Sequence, residues 1–337
     1  MQKYNIDREP LSVHGLAVKE NGTYWRLPSG VIDTVNDGVS NHARETAGAR
    51  VRFRSDSANL RITYRPLSTE YEGYIMSRAA KSMIGVYIDG RYAGATARSN
   101  SAHSTFTYSP RPGTKNARME SVDIYLPIEN GIETLDIEID DGAQILPPLP
   151  YKYPEQVVFY GSSITQGLAA SHAGRTYVDQ VCRALDTEYL NLGFSGSARG
   201  EDSIREYIAS LPMSAFVLDY DHNAPSLDHL RATHEPLYRA VRKTHPDIPI
   251  LIMNRPDFYD WLEDDHERRA IVRATYEKAL AEGDERVWFI DGESFFGEGI
   301  ARFDYTVDGC HPNDAGFDRM AAVVLPVLRE MLESRAK

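Results

Sequence analysis

From about Val51 to Ile145 the chain runs in short segments whose apolar and polar residues alternate, each broken by Gly, Asn, Asp or Pro. ARVRFRS, LRITYRP, IGVYIDG, STFTYSP, SVDIYLP and ETLDIEID share the two-residue period and the Val, Ile, Thr and Tyr enrichment of half-buried strands. So many short strands at close spacing predict a β-sandwich. The run ILPPLPYKYPEQ follows, with prolines at 147, 148, 150 and 154. Prolines at that density can neither enter a sheet interior nor continue a helix. They predict a linker over 147–155 between a sandwich of residues 1–146 and a second unit of residues 156–337.

In that second unit the pattern changes. QVVFY (156–160), EYLNL (188–192), AFVLDY (215–220), IPILIM (248–253) and RVWFI (286–290) are continuous apolar runs. Amphipathic stretches of helical length lie near 174–185, 201–210, 228–245, 263–282 and 314–334. Strands buried on both faces and joined by crossover helices predict a doubly wound parallel sheet in an α/β unit. The last stretch carries Phe317, Met320, Ala321, Val324, Leu328 and Met331 as a helical stripe, with Asn313 or Asp314 placed to cap it. Pro326 is expected to kink or shorten that helix.

Length and charge narrow the functional classes. At 337 residues the chain has room for two domains. Lys and Arg number 37 against 49 Asp and Glu, a net charge of −12, which is the wrong sign for a nucleic-acid or anionic-membrane binder. Cys182 and Cys310 cannot build a disulfide framework, and no Cys/His cluster suggests a metal site. The N-terminal residues lack the pattern of a secretory signal, and no apolar stretch reaches membrane-spanning length. The expectation is a cytoplasmic protein, or a secreted one whose signal has been removed.

Ligands of an open parallel sheet bind beyond the carboxyl ends of its strands. After the first strand comes Gly161-Ser162-Ser163-Ile164-Thr165-Gln166-Gly167, where a serine can cap a helix or present its hydroxyl to the crevice. After the second comes Asn191-Leu192-Gly193-Phe194-Ser195-Gly196-Ser197, whose glycines permit a tight turn or an exposed N–H. Asp219-Tyr220-Asp221-His222-Asn223 follows the third, and Asn223 there can close an Asx turn or donate to an oxyanion. After the fifth lies Asp308-Gly309-Cys310-His311-Pro312-Asn313, in which a carboxylate three residues before a histidine can reach the ring Nδ1 and leave Nε2 as a base. Each loop alone fits capping and turns. Together they place a serine, an Asp and a His on one rim, which is a nucleophile with its base and orienter.

YGSSITQG, NLGFSGSAR, DYDHN and DGCHPND resemble the four sequence blocks of the SGNH (GDSL-type) hydrolases over about residues 155–335. The resemblance implies a flavodoxin-like α/β/α sandwich, with Ser163 as nucleophile and Asp308 and His311 completing the triad. It implies an oxyanion hole from the N–H groups of Ser163 and Gly196 and the amide of Asn223. Two departures stand out: Ser162 where the GDSL motif has Asp, and DYDHN in place of GxND. Trp25-Arg26-Leu27-Pro28, Gly85-Val86-Tyr87-Ile88-Asp89-Gly90 and Ile124-Tyr125-Leu126-Pro127 resemble the jelly-roll-like β-sandwich module that precedes this domain in a two-domain bacterial subgroup of acylhydrolases and carbohydrate esterases.

The expected reaction is hydrolysis of a short-chain ester, acetyl foremost, on a carbohydrate, with no metal or organic cofactor required. An acyltransferase using the same serine and a non-catalytic carbohydrate binder are the competing readings. Trp261, with Phe258 and Tyr259, is a candidate to lie over the pocket, as are Tyr220 and His222; packing is the competing role for all of them. Cys310 is expected to be a packed thiol, and His172 a surface residue.

Overall fold

Along Leu60–Pro66 the residues alternate inward and outward, with Ile62 and Tyr64 buried and Arg61 and Arg65 exposed. The N-terminal half holds two larger antiparallel sheets, beside a two-stranded one of Val18–Glu20 and Thr23–Trp25. One orders Gln2–Asn5, Ile132–Ile139, Leu60–Pro66 and Ser104–Tyr108. The other orders Ile145–Leu146, Arg50–Ser55, Glu120–Tyr125, Gly85–Ile88 and Arg91–Ala95, with Ser12–His14 also paired to Arg50–Ser55. Val51, Phe53, Val86 and Ile124 of the second sheet meet Ile62, Leu135 and Ile137 of the first in one core. This computed structural model describes residues 1–20, 23–68, 75–76, 78–95, 104–108, 118–256, 264–297 and 304–335. All six strands expected from the alternation are present. The short strands before residue 50 are too brief to carry a period of their own.

The C-terminal half is a five-stranded parallel sheet ordered Thr187–Gly193, Tyr153–Gly161, Ala215–Asp219, Ile250–Met253, Val287–Ile290. In chain order that is 2-1-3-4-5, the flavodoxin-like arrangement. Alternate residues of each strand feed two separate cores. Val157, Phe159, Val217 and Leu251 pack with the helices Tyr177–Leu185 and Asp314–Arg335 on one face. Val158, Tyr160, Phe216, Leu218 and Ile252 pack on the other with Asp202–Ser210, Leu227–Thr244 and Asp265–Ala281. The result is the expected α/β/α sandwich. Among the described residues no helix is long and apolar enough to cross a membrane.

Two details differ from the expectation, and a third goes beyond it. The first parallel strand begins at Tyr153 and so contains Pro154. Its ladder slips between Tyr153, paired with Thr187, and Val157, paired with Tyr189, so the proline sits in the irregular part where no ladder N–H is needed. Pro326 does not shorten the last helix, which runs unbroken from Asp314 to Arg335. The carbonyl that Pro326 leaves unpaired belongs to Ala322, an exposed position where water can take the bond, and Pro236 in Leu227–Thr244 likewise follows exposed Ala232. Finally, residues before 147 enter the cores of the C-terminal half: Leu27, Val39 and Ala43 on one face, Ala47, Tyr87, Tyr125 and Ile128 on the other.

Candidate active site

The strand order places the first strand between the second and third, so the loops after all three emerge side by side. The register pairs Gly161 with both Gly193 and Asp219. Ser163 lies two residues beyond this level, Gly196 three and Asn223 four. A short helix, Ser163–Gln166, starts directly on the strand end, capped by Ser162, whose Oγ accepts the Ile164 N–H at 3.2 Å. Glycine is required beneath it. A Cβ on Gly161 would lie 2.4 Å from the Asp219 carbonyl oxygen, and one on Gly193 would lie 2.2 Å from the Gln166 nitrogen.

Capping by Ser162 leaves Ser163 free for the rim. Its Oγ is 2.9 Å from His311 Nε2, and His311 Nδ1 is 2.9 Å from Asp308 Oδ2. The other oxygen, Asp308 Oδ1, accepts the N–H groups of His311 at 2.7 Å and Cys310 at 3.0 Å. Burial pushes the Asp308 carboxyl up, but its bonds from the His311 N–H and ring and the Cys310 N–H outweigh this and hold it below the usual carboxylate range. A carboxylate so held takes the Nδ1–H and leaves Nε2 to accept from the Ser163 hydroxyl.

Around this line stand the other predicted groups. Gly196 adopts φ +65°, with open space at its Cα, and among the described residues its N–H meets no acceptor. Asn223 keeps its side-chain Oδ1 buried, with no partner among the described residues. The buried Arg268 fixes the Asn223 turn, donating from Nη1 to the carbonyls of Asp221 at 3.1 Å and Ala224 at 2.9 Å.

The proposed substrate contacts fare differently. Tyr220 is a correction: its ring is fully buried beside Tyr160 and His234, and its hydroxyl meets the Arg199 carbonyl at 2.7 Å and Thr233 Oγ1 at 3.0 Å. It therefore has no surface to offer a substrate. His222 does reach the loop that carries Asp308 and His311, with Nε2 3.5 Å from Cys310 Sγ. Burial, with Arg255 and His311 nearby, pushes its imidazole down to about 3, so it is neutral. Burial lifts the Cys310 thiol to about 11 despite Arg255, which makes it a protonated packing group. Trp261, Phe258 and Tyr259 lie outside the described residues. His172 is not a free surface residue: it stacks on Tyr92 with ring centroids 4.2 Å apart, against the N-terminal sandwich.

Several supporting residues escaped the sequence reading. Thr165 Oγ1 and Tyr177 OH both donate to Asp219 Oδ2, at 2.7 and 2.9 Å, beneath the serine helix. Burial raises Asp219 to about 7, the bonds from Thr165 and Tyr177 opposing it and the charge of Asp221 adding to it. Gln166 Oε1 accepts the Ser195 N–H at 2.9 Å, tying the serine helix to the Gly196 turn. Arg26, far upstream, donates from Nη1 to the carbonyls of Asn191 and Gly193. Arg26 stands in the Trp25-Arg26-Leu27-Pro28 motif, yet nothing in that motif says which carbonyls it meets.

The model of the GDSL-like lipase/acylhydrolase family matches residues 154–329, over half the chain, and that of the N-terminus of Esterase_SGNH_hydro-type matches residues 1–145. None of the curated proteins matches the chain. A candidate GDSL-like lipase from Bacteroides ovatus is 26% identical, with a TM-score of 0.83 over 98% of both chains. The salicylyl-acyltransferase SsfX3 of a tetracycline biosynthetic pathway is 19% identical, with a TM-score of 0.78 over 98% of both. An acetyl xylan esterase, Est2A, from the rumen bacterium Butyrivibrio proteoclasticus is 12% identical, with a TM-score of 0.63 over 98% of both. The last two likenesses are of fold alone.

Proposed function

The chain belongs to the GDSL-like lipase/acylhydrolase family of ester-hydrolysing enzymes, and on that premise we propose that it removes short acyl groups, acetyl foremost, from a carbohydrate through an acyl-enzyme on Ser163. The observation that carries this reading is the unbroken line from Ser163 Oγ through His311 to Asp308, with 2.9 Å at each step between side chains. Ser163 attacks the ester carbonyl as His311 Nε2 takes its proton, and Asp308 steadies the imidazolium. The N–H groups of Ser163 and Gly196 and the amide of Asn223 receive the oxyanion. His311 returns the proton to the leaving alcohol, and water, activated by His311 in turn, releases the acid. The N-terminal sandwich and the esterase of like fold that acts on acetyl xylan support a carbohydrate as the alcohol partner.

Acyl transfer is the second reading, favoured by the likeness in fold to a salicylyl-acyltransferase along the whole chain. It differs only in which hydroxyl resolves the acyl-enzyme. The test is turnover of acetylated sugars and of p-nitrophenyl esters of rising chain length, by wild type and Ser163→Ala, with and without an added acceptor alcohol. Hydrolysis fastest on acetyl esters and abolished in Ser163→Ala is expected. Activity retained in that variant would overturn the mechanism, and ester product formed in preference to free acid would favour transfer.

A further inference from the structure

The second parallel strand, Thr187–Gly193, is an edge strand, because among the described residues only Tyr153–Gly161 pairs with it. An edge leaves every second carbonyl without a ladder partner. Here those carbonyls are taken by arginines of the N-terminal half. Arg50 Nη1 lies 3.5 Å from the Tyr189 carbonyl, and Arg26 Nη1 lies 3.1 Å from that of Asn191 and 2.5 Å from that of Gly193. The positions 189, 191 and 193 are the outward set of one strand.

Arg26 is also held from behind. Its side chain is wholly buried, with Nε donating to the Glu45 carbonyl at 2.9 Å, Nη2 to the His42 carbonyl at 2.6 Å, and the guanidinium lying over the Phe194 ring at 4.8 Å. Only the planar fork of arginine satisfies four carbonyls at once. Burial lowers its pKa to about 10, with Glu45 opposing, so it keeps its charge at neutral pH. Beyond Gly193 the chain turns within three residues to Gly196. That turn is held from the other side by Gln166 Oε1 on the Ser195 N–H, and Asn191 Nδ2 bonds the Thr165 carbonyl at 2.8 Å. Gln166 in turn donates to Glu45 Oε2.

We infer that Arg26 is a positioning residue for the Gly196 turn, so that the N-terminal half sets the oxyanion hole of the C-terminal half. This rests on the proposed roles of Ser163 and Gly196. Arg26 touches no reacting atom; it acts by fixing the two carbonyls that precede the turn. Arg50 supplies the matched control, since it caps the same edge but at Tyr189, seven residues from Gly196.

The experiment compares Arg26→Lys, Arg50→Lys and Ser163→Ala in the full chain, reading kcat and KM for p-nitrophenyl acetate together with Tm. Arg26→Lys is expected to lower kcat by up to roughly 100-fold, as for a misplaced catalytic group. KM should move by less than about twofold, since only transition-state contacts are lost. Arg50→Lys should lower Tm while leaving kcat close to wild type. A folded Arg26→Lys with wild-type kcat overturns the inference, as do equal kcat losses in both arginine variants. If Arg26→Lys does not fold, Arg26→Gln carries the test: a kcat loss in the folded variant supports the inference and an unchanged kcat overturns it. Full activity in Ser163→Ala would remove the oxyanion hole on which the inference rests and overturn both readings. The other failures leave Ser163→Ala inactive and overturn this one alone.

Discussion

Asp308 holds His311 twice: its Oδ1 takes the histidine's own backbone N–H at 2.7 Å while its Oδ2 meets ring Nδ1 at 2.9 Å. The three-residue spacing makes this possible, since the same turn that brings the backbone under one oxygen swings the ring onto the other. Orientation and tautomer are thus set by a single carboxylate.

Asp308→Asn separates the two jobs. The amide oxygen can still accept the backbone N–H groups of Cys310 and His311, so the loop keeps its shape. Its NH2 then faces Nδ1, forcing that nitrogen to accept and putting the proton on Nε2, where it points at Ser163. A base that already carries its proton cannot take another. The expected loss in kcat is roughly 10,000-fold, with the fold intact by circular dichroism. A loss of only a few fold would show that the tautomer is set elsewhere.

Adjacent serines with different work offer a second check. Ser162 Oγ is committed to the Ile164 N–H, so Ser162→Ala removes a helix cap and nothing from the proposed chemistry. The expected cost is about 1 kcal/mol of stability, seen as a lower denaturation midpoint. Turnover of p-nitrophenyl acetate should stay near wild type, in contrast to Ser163→Ala. If the two effects were exchanged, the nucleophile would be Ser162.

What was legible in the sequence follows from how far each contact reaches. Asp308 and His311 sit three apart in one loop, so the spacing itself encodes the contact. Ser163 joined them through the rule that sites gather at strand ends, and the continuous apolar runs already implied the parallel sheet. Arg26 bonds Asn191 and Gly193 across 165 and 167 residues, and no local pattern reports such a pairing. Tyr220 misled because it follows the third strand, where a rim residue is expected. Instead the strand's alternation continues one step and turns the ring into the core between Tyr160 and His234. Pro154 and Pro326 have the sequence signature of breakers because proline removes a donor; each stands where that donor is not needed.

The buried carboxyl of Asp219 makes stability depend on pH in a direction opposite to that of an exposed, paired acid. Its folded pKa stands at about 7 against an ordinary value of 3.8, burial being the largest cause. Between those values the folded protein keeps a proton that the unfolded chain has lost, so this group's contribution is full below about pH 4 and falls as pH rises to 7. The total is about 4 kcal/mol, and the curve is flat beyond. Asp219→Asn removes the titration while its amide oxygen still accepts from Thr165 and Tyr177. The difference in unfolding free energy between variant and wild type, measured by urea titration from pH 4 to 8, should therefore grow in favour of the variant and level off above 7. Parallel curves across that range would show that Asp219 is ionised in the fold at all these pH values, and that its bonds to Thr165 and Tyr177 outweigh its burial.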